Sequence, residues 1–123
     1  MSTETLQDLH GTWAWVMVGM NAAAGVWALG AHWLERLRGR PLWVFTIVAE
    51  ATILVQVLLG VWLAQDVEAP EFHEFYGFVA IIAAALIYSY RTYTPAVKKY
   101  QYLLYGLGGL FLMGLGLRAM YLA

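Results

Sequence analysis

Four apolar stretches follow one another along the chain, at roughly residues 9–31, 42–64, 72–90 and 101–122. Each is close to the ~20 residues that an α-helix needs to cross ~30 Å of hydrocarbon. The N-terminal segment and the short connections carry most of the charges and all three prolines. The pattern therefore predicts a single all-α domain over residues 1–123, an integral membrane four-helix bundle with up-down topology.

Composition supports this class and excludes several others. The chain is 62% hydrophobic and only 12% charged, whereas soluble domains average about 25% charged residues. No cysteine is present, which excludes disulfides, thiolate ligands and iron–sulfur clusters. The sequence contains neither a phosphate-binding loop nor a basic patch suited to nucleic acid. The four predicted spans leave no room for a soluble domain.

The distribution of charge predicts the orientation. Six of the seven basic residues fall in the first and third connections: Arg36, Arg38, Arg40, Arg91, Lys98 and Lys99. Six of the eight acidic residues fall in the N-terminal segment or around the second connection: Glu4, Asp8, Asp66, Glu68, Glu71 and Glu74. Because connections rich in Lys and Arg stay in the cytoplasm, we expect both termini on the extracytoplasmic side of the cell inner (cytoplasmic) membrane.

Two histidines share the predicted outer end of the bundle. His10 begins the first span and His73 begins the third, whereas His32 ends the first span at the opposite face. In an up-down bundle the first and third helices are diagonal, so their inward side chains converge on the bundle axis. Two imidazoles at one depth are the ligands of a b-type haem iron, so His10 and His73 are the predicted metal ligands. The alternative is that each histidine lies at the interface because it is amphipathic.

Small residues follow both histidines at helical spacing. Ala14 lies one turn after His10, and Gly77 and Ala80 lie one and two turns after His73. We expect them to leave volume for a macrocycle, although small residues also let membrane helices approach closely. The glycine-rich fourth span permits such contact either inside the bundle or with a second copy.

Two further polar residues are candidates for contact with the cofactor. Arg118 is the basic side chain of the outer half, one turn from the end of the fourth span, and a guanidinium binds carboxylates such as haem propionates. Its alternatives are snorkelling to the interface, or pairing with Asp8 or Glu74. Gln56, in the second span, is a candidate hydrogen-bond partner of the cofactor edge, or a link between two helices.

One run of residues resembles a known family. The segment from Gln56 to Gly60, with Pro70, His73, Gly77 and Ala80 after it, resembles one four-helix half of the haem A synthase family. Proteins of that family contain two similar bundles. Each bundle has a histidine near the outer end of its first and third helices and a Gln-x-x-Leu-Gly pattern late in the second. The likeness covers most of residues 7–90 and implies a half-size, haem-binding membrane bundle of the kind that self-associates.

The departures from that family bear on activity. Gln7 stands where the catalytic half has a glutamate, Gly11 stands where an arginine is common, and the family's cysteine pair is absent. The leading hypothesis is therefore a membrane cytochrome b that transfers electrons through one haem b near the outer face. The alternatives are a non-catalytic accessory subunit of a larger respiratory or photosynthetic complex, or a half-size haem A synthase-like enzyme. The expected partners are the lipid bilayer, haem, and a homo-oligomer or larger membrane complex.

Overall fold

A computed structural model describes residues 2–68, 72–89 and 99–121, with the backbone alone for Tyr121. Within these residues the chain forms four α-helices, α1 (Thr3–Trp33), α2 (Arg40–Leu63), α3 (His73–Ser89) and α4 (Gln101–Tyr121), and a 3₁₀ turn at Glu35–Leu37. Of the positions discussed above, four lie outside the described residues: Pro70, Glu71, Arg91 and Lys98.

Three of the helices have the length and composition of membrane spans. They are α1 with 31 residues, α2 with 24, and α4 over Gln101–Met120 with 20. The helix α3 is also apolar but has 17 residues within the described part of the chain. Within the described residues the prediction of an all-α protein is confirmed, and three of its helices are long and apolar enough to cross a membrane.

The first helix begins six residues before the apolar stretch that predicts it. The Ser2 side chain caps it by accepting a hydrogen bond from the Thr5 N–H at 3.2 Å, and Glu4 lies in the first turn, where the helix dipole favours a negative charge. A search of the sequence for apolar stretches does not detect this polar N-terminal part of the helix. His10 therefore lies two turns inside α1 and does not begin it, which corrects the expectation from sequence.

Glycines bring α1 and α4 into backbone contact. A Cβ atom on Gly109 would lie 2.7 Å from the Cα atom of Gly25, and a Cβ atom on Gly106 would lie 2.8 Å from the Cα atom of Leu29. Residue numbers rise along one helix as they fall along the other, so the two helices are antiparallel. Small residues permit this approach, because any side chain would separate the backbones. Gly106 and Gly109 of α4 thus serve contact inside the fold.

Arg38, which follows the C-terminal end of α1 and the 3₁₀ turn, contacts both α1 and α4. Its Nε donates to the Ala31 carbonyl at 2.7 Å, and a terminal nitrogen donates to the His32 carbonyl at 2.8 Å. The guanidinium carbon also lies 4.9 Å from the centre of the Tyr102 ring. The arginine satisfies carbonyls that the end of a helix leaves without intrahelical partners. This basic residue therefore stabilises the end of α1.

Candidate functional site

The structure brings His10 of α1 and His73 of α3 together. Their ring centroids are 6.0 Å apart, and the ring planes are inclined by 71°. Imidazole nitrogens bind a metal ion at about 2 Å, so two rings on opposite sides of one ion have centroids about 6 Å apart. The spacing of this pair matches two ligands of one metal ion, and it also matches a direct edge-to-face contact between two rings.

The hydrogen bond of His73 determines which ring nitrogen faces the cavity as a base. Its Nδ1 lies 3.2 Å from the Ala119 carbonyl oxygen on α4. A carbonyl only accepts, so Nδ1 carries the proton in this bond and Nε2 keeps its lone pair. Metal-binding histidines usually donate their second ring nitrogen to a carbonyl or carboxylate in this way. The hydrogen bond thus leaves Nε2 as the ring nitrogen of His73 that is available as an acceptor or ligand.

His10 is held by two residues of α2. The Gln56 Nε2 donates to the His10 carbonyl oxygen at 2.9 Å. One turn later, a Cβ atom on Gly60 would lie 3.3 Å from Cε1 of the His10 ring. Any residue other than glycine would therefore displace the ring from its present position. Both ends of the Gln56–Gly60 segment thus contact the same histidine. Gly60 is a positioning residue that the sequence argument did not select, although its spacing of four from Gln56 was a signal.

Two buried polar atoms beside the cavity have no hydrogen-bond partner within the described residues. They are Nδ1 of His10 and Oε1 of Gln56, and the Gln56 side chain is 8% exposed. Buried polar atoms in folded proteins are normally satisfied, because desolvation without a partner costs about 1–3 kcal/mol. The two atoms indicate that the cavity is built to receive a ligand or ordered water.

A cavity of about 1120 Å³ adjoins the histidine pair. All four helices contribute to its wall. Four of the residues predicted to contact a cofactor line it: His10, Ala14, Gln56 and His73. The volume lies just above the roughly 300–1,000 Å³ typical of ligand pockets. The cavity is large enough to be considered as a cofactor site.

The other three predicted residues do not line this cavity. Arg118 is exposed, Ala80 is buried elsewhere, and a Cβ atom on Gly77 would meet nothing within 4 Å. The face of α3 that lines the cavity instead carries Glu74, Phe78 and Ile81. Glu74 and Phe78 are exposed whereas Ala80 is buried, so the cavity lies along an exposed side of α3 and not along its buried face. Contact of Arg118 with a propionate stays a prediction.

The protein supplies two nitrogen ligands at this place. Within residues 2–68, 72–89 and 99–121, no group of three or more His, Cys, Asp or Glu side chains is arranged to hold a metal ion. A free ion would need further protein ligands, whereas iron in a porphyrin brings four nitrogens and takes two more from the protein. The donor set therefore fits a metal that arrives inside a macrocycle better than a bare ion.

Comparisons with known proteins add no family. The chain matches no protein-family model, no curated protein and no solved structure. The resemblance to half of a haem A synthase therefore stays a prediction from the sequence motif.

Proposed function

We propose that the chain is a small membrane cytochrome b in which His10 and His73 bind one haem b for electron transfer. The observation that carries the proposal is the histidine pair, with ring centroids 6.0 Å apart and Nδ1 of His73 on the Ala119 carbonyl. The haem would supply a one-electron change at its iron. If both His10 and His73 held the iron, no position on it would remain for a substrate, which favours electron transfer over catalysis on the iron.

The surrounding residues would set the properties of the site. Gln56 and Gly60 hold the backbone and ring of His10, and the Ala119 carbonyl fixes the tautomer of His73. Such contacts to metal ligands influence both affinity and reduction potential. Ala14, buried on the cavity wall, leaves room beside the ligand pair. A mostly apolar wall keeps water from the metal, so the charge of the iron is sensed strongly by nearby dipoles.

The absorption spectrum of the purified protein tests this function. We expect bound haem with a sharp α-band in the reduced state at the position typical of b-type cytochromes. A protein purified without haem, and unable to take it up, would contradict the proposal and leave the accessory-subunit alternative. Oxidised haem O products in cells that lack another synthase would instead support the half-size enzyme.

The proposed topology places an up-down bundle in the cytoplasmic membrane with both termini outside. It rests on the six basic residues of the first and third connections, against none in the second. A tag after Ala123 should therefore react with an impermeant reagent in intact spheroplasts. Reaction only after the membrane is permeabilised would invert the topology and move the histidine pair to the cytoplasmic side.

Gly60→Leu should weaken haem binding, because a side chain there displaces the His10 ring. Overpacking of this kind costs about 1–3 kcal/mol, which corresponds to roughly a ten- to hundredfold loss of affinity. Gly77→Leu is the matched control, since a Cβ atom on Gly77 meets nothing within 4 Å. Haem titration of the two variants measures the difference. Equal affinities would show that Gly60 does not position His10.

A further inference from the structure

Three large apolar residues that line the cavity are widely exposed on the surface, Trp15 of α1 and one residue each of α2 and α3. Val61 of α2 is 60% exposed and Phe78 of α3 is 67% exposed, and both contribute to the cavity wall. A residue that lines a cavity and also faces outward marks the mouth of that cavity. Both side chains are apolar and both lie on helices of the membrane domain. We call this opening, between Val61 and Phe78, the lateral mouth.

The packing of the helices favours an opening at this place. Of the four helix pairs that pack side by side, α2 and α3 contact each other least. The pair α1 and α4 is instead held in backbone contact at Gly25 and Gly109. Separating two helices in lipid requires only that their mutual contacts be exchanged for contacts with acyl chains. The gap between α2 and α3 is therefore the easiest one to widen.

The polar rim of the same cavity is acidic. Asp8, Glu68 and Glu74 line the cavity and are exposed. Haem carries two propionates, so a haem approaching from water past this rim meets like charges. Repulsion between like charges slows association, just as attraction between opposite charges speeds it. The rim therefore disfavours entry from the aqueous side.

We propose that the cavity is loaded with haem from the lipid phase, through the lateral mouth between α2 and α3. The inference rests on the proposed haem function and adds the route and the source of the ligand. An apolar macrocycle dissolved in the bilayer would meet the exposed apolar side chains of Val61 and Phe78. It reaches His10 and His73 without passing the acidic rim.

Single-cysteine labelling tests the route, because the native chain contains no cysteine. The full chain is produced in haem-deficient cells as Val61→Cys or Phe78→Cys, labelled after folding with pyrene maleimide, and placed in phosphatidylcholine vesicles preloaded with hemin. Leu58→Cys and Phe75→Cys are the matched controls, since both positions are similarly exposed, at 59% and 58%, but do not line the cavity. The growth of the bound-haem absorbance gives the uptake rate. The uptake rate of each unlabelled cysteine variant shows whether the substitution alone changes haem uptake.

Labelling at Val61 or Phe78 should slow uptake by at least about tenfold, the effect of a barrier raised by ~1.4 kcal/mol. Labelling at Leu58 or Phe75 should leave the rate near that of the unlabelled variant. Trp15 is also exposed and lines the cavity on the α1 side. Equal rates for all labelled variants, or slowing only at Trp15→Cys, would overturn the lateral route.

A second measurement checks the role of the rim. The triple change Asp8→Asn, Glu68→Gln, Glu74→Gln should speed the uptake of hemin offered in water more than the uptake from preloaded vesicles, because only hemin from water passes these residues. An equal acceleration of both would show that hemin from the vesicles also enters past the rim, and would overturn the proposal. Absence of any haem uptake by the unlabelled native chain is a different result, since it removes the proposed function itself.

Discussion

Replacing either His10 or His73 with Ala should abolish the low-spin haem spectrum or convert it to a high-spin one, because the iron then loses one of its two protein ligands. His32→Ala should leave the spectrum unchanged. The His32 ring packs against Trp33 at 4.8 Å, and its carbonyl accepts from Arg38 at the other end of α1. Optical absorption and electron paramagnetic resonance measure the change. A native spectrum in either of the first two variants would refute the ligand assignment.

A rescue experiment separates loss of a ligand from loss of structure. His73→Ala removes one hydrogen bond to the Ala119 carbonyl, and such a bond contributes about 0.5–1.5 kcal/mol to stability. That is too little to unfold a domain with a typical stability of about 5–15 kcal/mol. Added imidazole should therefore enter the cavity of the variant and restore the low-spin signal. Failure of rescue in a variant with native helical content would argue against an axial role.

Gly109→Leu should strongly destabilise the fold. A Cβ atom there would lie 2.7 Å from the Gly25 Cα atom and 2.9 Å from the Asn21 carbonyl oxygen. Backbone atoms cannot turn aside as a side chain can, so α1 and α4 must separate. Overpacking usually costs about 1–3 kcal/mol, and we expect a loss of at least ~3 kcal/mol at this contact. Unfolding by denaturant in detergent micelles measures it.

Gly114→Leu is the matched control for Gly109→Leu. It lies on the same helix, is exposed, and a Cβ atom there would meet nothing within 4 Å. Both changes replace glycine by a better helix former, a gain of nearly 1 kcal/mol that applies equally to each. A stable Gly109→Leu protein with native haem affinity would show that the close contact of α1 and α4 is dispensable.

Depth along each helix could be read from the sequence, whereas rotation about the helix axis could not. The order of the spans and the distribution of charge put His10 and His73 near one end, and the structure brings their rings together. The same argument selected Gly77 and Ala80 as cavity residues, but on α3 the cavity lies against Glu74, Phe78 and Ile81, and Ala80 is buried elsewhere. Arg118 likewise has the expected position along α4 but an exposed side chain. Rotation depends on packing against neighbouring helices, which a single sequence does not specify.

The sequence also could not predict which backbone atoms contact the site residues. The atom that orients His73 is the carbonyl oxygen of Ala119, and any residue at that position carries the same carbonyl. From the sequence alone, the glycines of α4 could pack either inside the bundle or against a second copy of the chain. Their contact with Gly25 and Leu29 resolves this for Gly106 and Gly109. In contrast, Gly60 could have been found, since it lies one turn from Gln56 in the motif that suggested haem.

The contact between Ala119 and His73 has a consequence for the order of assembly. The chain is made from its N-terminus, so α4 is the last of the four helices to be synthesised. Only then do the Ala119 carbonyl and the glycines that receive α1 become available. Contacts between residues far apart in sequence form late. The two imidazoles therefore reach their final positions only after α4 has been inserted, and a chain interrupted before α4 carries both histidines without a completed binding site.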